Sequence, residues 1–314
     1  MLSEAGCFDF EGARFGVQRS NRNARKAGEG KTGSPFVLLH GFAQSARSWN
    51  RVASALADGA HANVYALDLM GHGESDHPDS GCFYDIDFQA RAVLAFCELV
   101  AQAEGTSPVL VGYSMGGRVA LCAVERAVGA GSGDCATERA DESAQDGLAG
   151  VPFCALVLES AGLGPADSTE RDALARRNAG WAVRLREEGV APFMEYWESL
   201  PLFESQRSLD AATRAEVSAE RLSNDARALA RTFERAGAHA MPLRPEAVRS
   251  LRKLAGAGVP VTYLAGALDA KYRAVAESLS SELGRAIDVR IVPNAGHNIH
   301  LEQPEAFSSE LLDV

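Results

Sequence analysis

The sequence predicts an α/β fold with a mostly parallel central sheet flanked by helices, and a helical cap inserted between sheet strands. Six short apolar runs are rich in β-branched residues and end in turn residues, which is typical of strands buried on both faces of a parallel sheet. Amphipathic segments of helical period separate most of these runs. One long stretch between two of the runs is almost wholly helical in pattern, which predicts the cap.

The predicted elements alternate along the chain. The segment CFDFEGARFGVQR alternates loosely and predicts an N-terminal hairpin, and KAGEGKTGSP predicts a polar loop after it. The predicted core strands are PFVLLHG (35–41), NVYALDL (63–69), PVLVGYS (108–114), CALVLES (154–160), PVTYLAG (260–266) and DVRIVPNAG (288–296). Segments such as SWNRVASALAD and KYRAVAESLSSELG predict the helices between them.

Two segments interrupt the alternation. Residues 129–150 are rich in Gly and Ser, acidic and nearly free of large apolar side chains, so we interpret them as a mobile surface insertion. Residues 163–246 carry the helical pattern of the cap. We therefore assign residues 1–162 and 247–314 to the core.

Composition excludes several classes of protein. A chain of 314 residues, 46% of them hydrophobic, can bury a large core. A net charge of −11 disfavours nucleic acids and anionic membrane surfaces as partners. No apolar run is long enough to span a bilayer, and the N-terminus has no secretory pattern, so we expect a cytoplasmic protein without membrane insertion. The six cysteines form no CxxC pair, and we expect no metal and no cofactor.

The pentapeptide GYSMG, residues 112–116, follows a predicted strand and begins a predicted helix. Such a tight turn strains the serine backbone and exposes its hydroxyl, although an ordinary glycine-rich turn is the alternative. A serine becomes reactive when a histidine accepts its proton and an acid fixes the histidine tautomer. Asp269 and His297 each follow a predicted strand. Parallel strands end at one edge, so we expect Ser114, Asp269 and His297 to meet there.

The backbone N–H groups of Phe42 and Met115 are the predicted oxyanion hole, since Phe42 follows a strand and a glycine in LLHGF. Glu159 also ends a strand and is an alternative triad acid. In HNIH, His300 and His297 are a possible ligand pair without a third ligand nearby. We interpret His40 as structural and DLMGHGES (68–75) as a shaped turn.

Together these motifs resemble the α/β-hydrolase fold family, because HGF, DLMGHGES, GYSMGG and NAGHN occur in its usual order over nearly the whole chain. GYSMGGR, LESAGL, RRNAGWA, WESLPLF and GALDAKY are further similar to 2-succinyl-6-hydroxy-2,4-cyclohexadiene-1-carboxylate synthases of menaquinone (vitamin K2) biosynthesis. That resemblance implies a lyase that eliminates pyruvate from a substrate with three carboxylates, through a Ser-His-Asp proton relay. A carboxylesterase or carbon–carbon bond hydrolase of the same fold is the alternative. A non-catalytic binding protein is disfavoured by the intact serine, aspartate and histidine.

Arg118 follows Ser114 by one helical turn and lies on the same helix face. A guanidinium binds carboxylates through two parallel hydrogen bonds and suits an anionic substrate. A buried acid of the scaffold is the alternative partner for Arg118. We expect the partner of the protein to be a small polycarboxylate, and the chain to be a monomer or weak homo-oligomer.

The resemblance implies further substrate contacts from the cap and the sheet edge, namely from Tyr113, Trp197, Arg221 and Lys271. The alternative for Trp197 is a purely packing role in the cap core. The alternative for Arg221 is a solvated position on the surface. The family has an arginine where this chain has Leu174. We expect Arg171 to reach the substrate instead, with Arg176 or Arg177 as alternatives.

Overall fold

The computed structural model describes residues 6–21, 33–129 and 151–314. Within these residues one eight-stranded sheet has the order β1-β2-β4-β3-β5-β6-β7-β8. The strands are β1 (Cys7–Phe10), β2 (Ala13–Ser20), β3 (Phe36–Leu39), β4 (Val64–Leu67), β5 (Val109–Tyr113), β6 (Ala155–Glu159), β7 (Val261–Gly266) and β8 (Asp288–Val292). Most of the predicted polar loop, and residues 130–150 of the predicted insertion, lie outside the described residues.

Each of the six predicted core runs contains one strand, and CFDFEGARFGVQR forms the antiparallel hairpin β1–β2. Strand β2 also pairs antiparallel with β4, whereas every neighbouring pair from β4 to β8 in the sheet order is parallel. The prediction of a mostly parallel α/β sheet is confirmed. The carboxyl ends of β3, β5, β6, β7 and β8 therefore lie along one edge.

The described residues form eleven α-helices, of which four lie in the range assigned to the cap and others cover both faces of the sheet. The helices are α1 (Asn50–Gly59), α2 (Ile86–Glu104), α3 (Met115–Gly129), α4 (Ser168–Glu188), α5 (Val190–Ser199), α6 (Ala211–Leu222), α7 (Ala226–Arg235), α8 (Arg244–Gly256), α9 (Ala270–Leu283), α10 (Ile299–Glu302) and α11 (Pro304–Leu312). Apolar side chains of α2, α3, α8 and α9 form the core on one face, and those of α1 and α11 form the core on the other. No helix in the described ranges has the length and apolar character that crossing a bilayer requires.

Strand β8 differs from the expected strand with two buried faces. It lies at the edge of the sheet, and of its five residues only Val292 is buried. Arg290 forms ion pairs with Asp288 on the same strand and with Glu310 on α11. An edge strand has one unpaired side, and charged side chains there oppose pairing with another chain.

Helices α4 to α7 lie between β6 and β7 in the chain, in the range assigned to the cap. Their apolar side chains form a separate cluster that also includes Phe42 and Ala43 from the turn after β3. The expected end of the cap at residue 246 falls inside α8, whose Val248 and Leu251 belong to the core on the sheet. A boundary before Arg244 fits this packing better, and the division into core and cap stays a prediction.

We expect Gly116→Ala to lower the free energy of unfolding by about 1–3 kcal/mol, the usual cost of overpacking. A Cβ at Gly116 would lie 2.3 Å from the carbonyl oxygen of Leu39 and 2.7 Å from that of His40. Gly180 in α4 is the matched control, because a Cβ there meets nothing within 4 Å. Gly180→Ala should stabilise by about 0.5–1 kcal/mol. Urea unfolding measures both variants, and equal effects would contradict the packing argument.

Candidate active site

The turn between β5 and α3 presents Ser114 at the carboxyl edge of the sheet. Ser114 has a φ of 48°, in the left-handed region that non-glycine residues rarely adopt. Its N–H donates to the carbonyl oxygen of Glu159 at 2.9 Å, and the N–H of Gly116 donates to that of His40 at 3.0 Å. These bonds to two neighbouring strand ends hold the serine in its strained conformation.

Ser114, His297 and Asp269 lie in one chain of hydrogen bonds. His297 Nε2 is 3.0 Å from Ser114 Oγ, and His297 Nδ1 is 2.9 Å from Asp269 Oδ2. The other carboxylate oxygen of Asp269 accepts the N–H of Tyr272 at 3.0 Å, at the start of α9. A carboxylate accepts hydrogen bonds, so the imidazole proton lies on Nδ1 and Nε2 faces the serine. This orientation suits proton transfer from Ser114 to His297.

Burial sets the protonation of His297. The residue is 2% exposed, and burial lowers the pKa of His297, while the hydrogen bond and charge of Asp269 raise it. The net pKa of His297 is below the ordinary histidine value. The neutral imidazole, which can accept a proton, is therefore the main form near neutral pH.

Phe42 and Met115 flank the serine. Met115 is the first residue of α3, where a backbone N–H has no intrahelical acceptor and the helix dipole is positive. Phe42 follows β3 in a turn fastened by the bond from Gly41 N–H to Gln44 Oε1 at 3.0 Å. The Phe42 ring packs 4.2 Å from that of Phe233 in the cap. The role of these two N–H groups in an oxyanion hole stays a prediction.

A cavity of about 310 Å³ lies over Ser114, between the sheet edge and the helices of the cap. Most of the residues predicted to contact substrate line it: Tyr113, Arg118, Trp197, Arg221 and Lys271. Its wall also includes residues that sequence reasoning did not single out: Gln44, Asn178, Trp181, Leu200, Leu202, Phe203, Phe233, Gly237, Ala238 and Tyr272. Most of these residues come from the cap. The sequence alone does not show which cap residues pack against the sheet edge, and so it did not identify them.

Arg118 reaches the cavity from α3, one turn after the serine. Its Nε is buried without a hydrogen-bond partner, and its Nη2 makes a long contact of 3.5 Å with the carbonyl oxygen of Ala236. Desolvation lowers the pKa of Arg118. Within residues 6–21, 33–129 and 151–314, no carboxylate forms an ion pair with it. The described residues therefore contain no buried acid that pairs with Arg118, which was the alternative to a substrate carboxylate.

Arg171 does not line this cavity, and its predicted contact with substrate stays a prediction. Its Nη2 donates to the carbonyl oxygen of Met241 at 3.2 Å. Arg177 lines the cavity instead, with its guanidinium 4.4 Å from the ring centre of Trp181. Residues three apart share a helix face, so Arg177 follows Leu174 on one face of α4. Arg171 lies three residues before Leu174, so helical spacing alone does not distinguish Arg171 from Arg177.

The remaining predicted cations differ in their surroundings. Arg221 is 5% exposed and donates to Glu198 and to Gln206, each at 2.9 Å. A solvated surface position for Arg221 is therefore wrong, and its charge is already paired. Lys271 is exposed at the rim of the cavity. Trp197 both lines the cavity and packs in the cap cluster.

The alternative triad acid, Glu159, has another partner. Glu159 Oε2 lies 2.7 Å from His300 Nδ1, and both side chains are fully buried. His300 and His297 are thus bonded to different carboxylates. His40 bonds to the backbone through both ring nitrogens, at 2.7 Å to Gly41 O and 2.9 Å from Leu69 N. This agrees with its structural interpretation.

The turn containing DLMGHGES is fastened by its own aspartate. Asp68 accepts the backbone N–H of Ala46 at 2.6 Å and that of Glu74 at 2.9 Å. His72 is fully buried in this turn, and burial lowers its pKa to about 3. The turn packs against Phe42 through the His72 ring and supports the cavity wall.

The chain belongs to the α/β hydrolase family, whose pattern matches residues 36–310. Within that family it is similar to the 2-succinyl-6-hydroxy-2,4-cyclohexadiene-1-carboxylate synthase of Citrobacter koseri, with 32% identity over 294 residues, 92% of this chain and 97% of that protein. MenH from S. aureus has a similar structure, with a TM-score of 0.76, 24% identity, and 95% of this chain and 96% of that one covered. The structure of a thermophilic esterase from Thermogutta terrifontis is also similar, with a TM-score of 0.70 and 20% identity, and 98% of this chain and 96% of that one are covered. These two structural likenesses show the shared fold alone.

A serine-reactive fluorophosphonate tests the protonation of His297. We expect the labelling rate of Ser114 to be constant from pH 7 to 8, because the neutral imidazole is then fully populated. The rate should fall on acidification, with a midpoint below the ordinary histidine pKa of about 6.5, because the folded-state pKa is lowered.

Asp269→Asn should slow this labelling roughly 10³-fold or more, since it removes the acceptor that fixes the tautomer. Asp172→Asn is the control, at an exposed position of α4 outside the cavity. A midpoint above pH 7, or equal rates in the two variants, would contradict this arrangement.

Proposed function

We propose that the chain is a carbon–oxygen lyase that eliminates pyruvate from 2-succinyl-5-enolpyruvyl-6-hydroxy-3-cyclohexene-1-carboxylate in menaquinone biosynthesis. The observation that carries the proposal is Arg118, which has no ion-pair partner among the described residues and lies one helical turn from a serine that is hydrogen-bonded to His297. The activity named for the Citrobacter koseri relative supports the choice of substrate. We further propose a cytoplasmic location and a monomer or weak homo-oligomer.

Substrate and product differ by one elimination across the ring. The hydrogen on ring carbon 2 leaves as a proton, and the oxygen on carbon 5 leaves with the enolpyruvyl group. The ring double bond between carbons 3 and 4 is replaced by two, between carbons 2 and 3 and between carbons 4 and 5. The departing enolpyruvate takes up a proton on carbon and becomes pyruvate.

Proton removal uses the hydrogen-bonded chain of three residues. Asp269 orients His297, which accepts the Ser114 proton, and the serine oxygen removes the proton beside the succinyl carbonyl. The electron pair left on carbon moves to that carbonyl oxygen, where the N–H groups of Phe42 and Met115 stabilise the enolate. Return of the pair forms the new double bond and expels the leaving group. No acyl-enzyme is needed.

The cations of the cavity bind the three carboxylates of this substrate. Arg118 and Arg177 line the cavity and have no ion-pair partner in the described ranges, so an incoming carboxylate supplies their missing counterion. A neutral ester would leave the desolvated Arg118 charge uncompensated, which is costly. Binding through fixed guanidinium groups also aligns the ring over Ser114.

The deciding experiment is pyruvate release from the enzymatically prepared substrate, coupled to lactate dehydrogenase, beside a panel of p-nitrophenyl esters. Ser114→Ala serves as the blank, because the substrate also decomposes unaided. We expect serine-dependent pyruvate release with negligible ester hydrolysis. Brisk ester cleavage without pyruvate above the blank would overturn the lyase in favour of an esterase or carbon–carbon hydrolase.

Arg118→Ala should reduce kcat/KM for pyruvate release at least about 100-fold, or roughly 3 kcal/mol, the cost of a lost charged contact in a desolvated site. Arg118→Lys should recover only part of this loss, because lysine cannot form the two parallel bonds. Arg176→Ala is the matched control, at an exposed position of α4 that does not line the cavity. Unchanged kinetics in Arg118→Ala would reduce Arg118 to a scaffold residue.

A further inference from the structure

Asn178 connects a cavity arginine to the segment between α7 and α8. It is 2% exposed and lies beside Arg177 in the cavity wall. Its Oδ1 accepts hydrogen bonds from Arg177 Nε at 3.4 Å and Nη2 at 3.3 Å. Its Nδ2 lies 3.1 Å from His239 Nδ1, and His239 Nε2 lies 3.1 Å from the carbonyl oxygen of Glu234.

The donors and acceptors of this chain allow one arrangement. A carbonyl oxygen only accepts, so His239 Nε2 carries the proton and Nδ1 of the neutral ring accepts from Asn178. The amide oxygen of Asn178 then faces Arg177, whose guanidinium only donates. Burial, together with the charges of nearby arginines, lowers the pKa of His239, which keeps the ring neutral.

The same segment contacts the second cavity arginine. The carbonyl oxygen of Ala236 receives the contact from Arg118 Nη2. The next residue, Gly237, lines the cavity, and a Cβ there would lie 2.0 Å from Asn178 Nδ2. A glycine is therefore required for Asn178 to approach this segment.

We propose that Asn178 and His239 are positioning residues that hold Arg177 beside Arg118 as a paired subsite for two carboxylates of one ligand. A neutral amide fixes the guanidinium and leaves its charge available, whereas a carboxylate at the same position would neutralise it. The consequence is selectivity for polycarboxylates over monocarboxylates. The inference rests on the proposed function for the identity of the substrate, but the selectivity can be measured without turnover.

Direct binding to the full-length protein tests the subsite. Trp181 lies under Arg177, so tryptophan fluorescence can follow titration with tricarballylate, a stable trianion, or with butyrate, a monoanion. We expect tighter binding of tricarballylate by the unmodified chain. Asn178→Asp should raise the Kd of tricarballylate at least about tenfold and that of butyrate less than about threefold, since the first ligand uses both cations.

Ala179→Asp is the matched control, because it adds the same charge at the next, exposed position of α4. It should leave the ratio of the two Kd values unchanged. The proposed subsite would be overturned if Asn178→Asp left the ratio of the two Kd values unchanged. It would also be overturned if Asn178→Asp and Ala179→Asp changed that ratio equally.

His239 gives an independent readout. His239→Leu removes the acceptor for Asn178 and should raise KM for the tricarboxylate substrate more than it lowers kcat. His239→Asn retains an acceptor near the position of Nδ1 and should restore most of the KM. If His239→Leu and His239→Asn had identical effects, His239 would have only a packing role, and its role in positioning Asn178 would be overturned. Selective tricarballylate binding without any pyruvate release would refute the proposed lyase and leave this subsite intact.

Discussion

The close approach of successive turns at the carboxyl edge of the sheet is the constraint on which the whole site depends. Backbone hydrogen bonds of 2.8–3.0 Å connect the turns across the edge, from Gly116 to His40, Ser114 to Glu159, Ser160 to Leu264 and Leu268 to Ala295. They place the serine, the aspartate and the histidine at fixed separations although these residues are far apart in sequence. The turn around the serine is packed so closely that a Cβ at Gly112, Gly116 or Gly117 would lie less than 3 Å from neighbouring atoms. A side chain at Gly116 or Gly266 would collide with backbone atoms of the adjoining turn.

The cavity above this edge combines an apolar wall with arginines of two kinds, those that are ion-paired within the cap and those that are not. Arg221 is paired with Glu198, and it packs on the face of Phe203, so its charge is offset within the cap. Arg118 and Arg177 have no such partner in the described residues, and desolvation lowers the pKa of both. Arg118 is partly buried whereas Arg177 is solvent-exposed at the cavity wall, so the cost in stability of an uncompensated charge falls mainly on Arg118, and a structural role does not explain it. The cost is offset when an anionic ligand binds, and this distinguishes the cavity from that of an enzyme for neutral esters.

The strands and the serine, aspartate and histidine were predictable because local signals identify them. Hydrophobic runs mark the strands, a glycine-flanked serine marks a strand-to-helix turn, and parallel strands share one carboxyl edge. The cap residues were less predictable, since which face of α4 meets the cavity depends on how α4 packs on α7. Arg171 and Arg177 are equally basic in sequence, and only the packing shows that Arg177 lines the cavity. The partners of Arg221 and the exposure of β8 likewise depend on contacts and strand order that sequence does not specify.

Two imidazole–carboxylate pairs lie three residues apart, and their surroundings explain why one suits catalysis. His300 is bonded to Glu159 with both side chains fully buried, and its ring stacks on Trp49 at 3.9 Å. It makes no hydrogen bond to Ser114 in the described residues. His297 also bonds to a carboxylate through Nδ1, but its Nε2 lies within hydrogen-bond distance of the Ser114 hydroxyl in the cavity. The buried pair joins the end of β6 to the chain just after His297, so the interaction that already engages Glu159 also fixes the position of His297 beside Ser114.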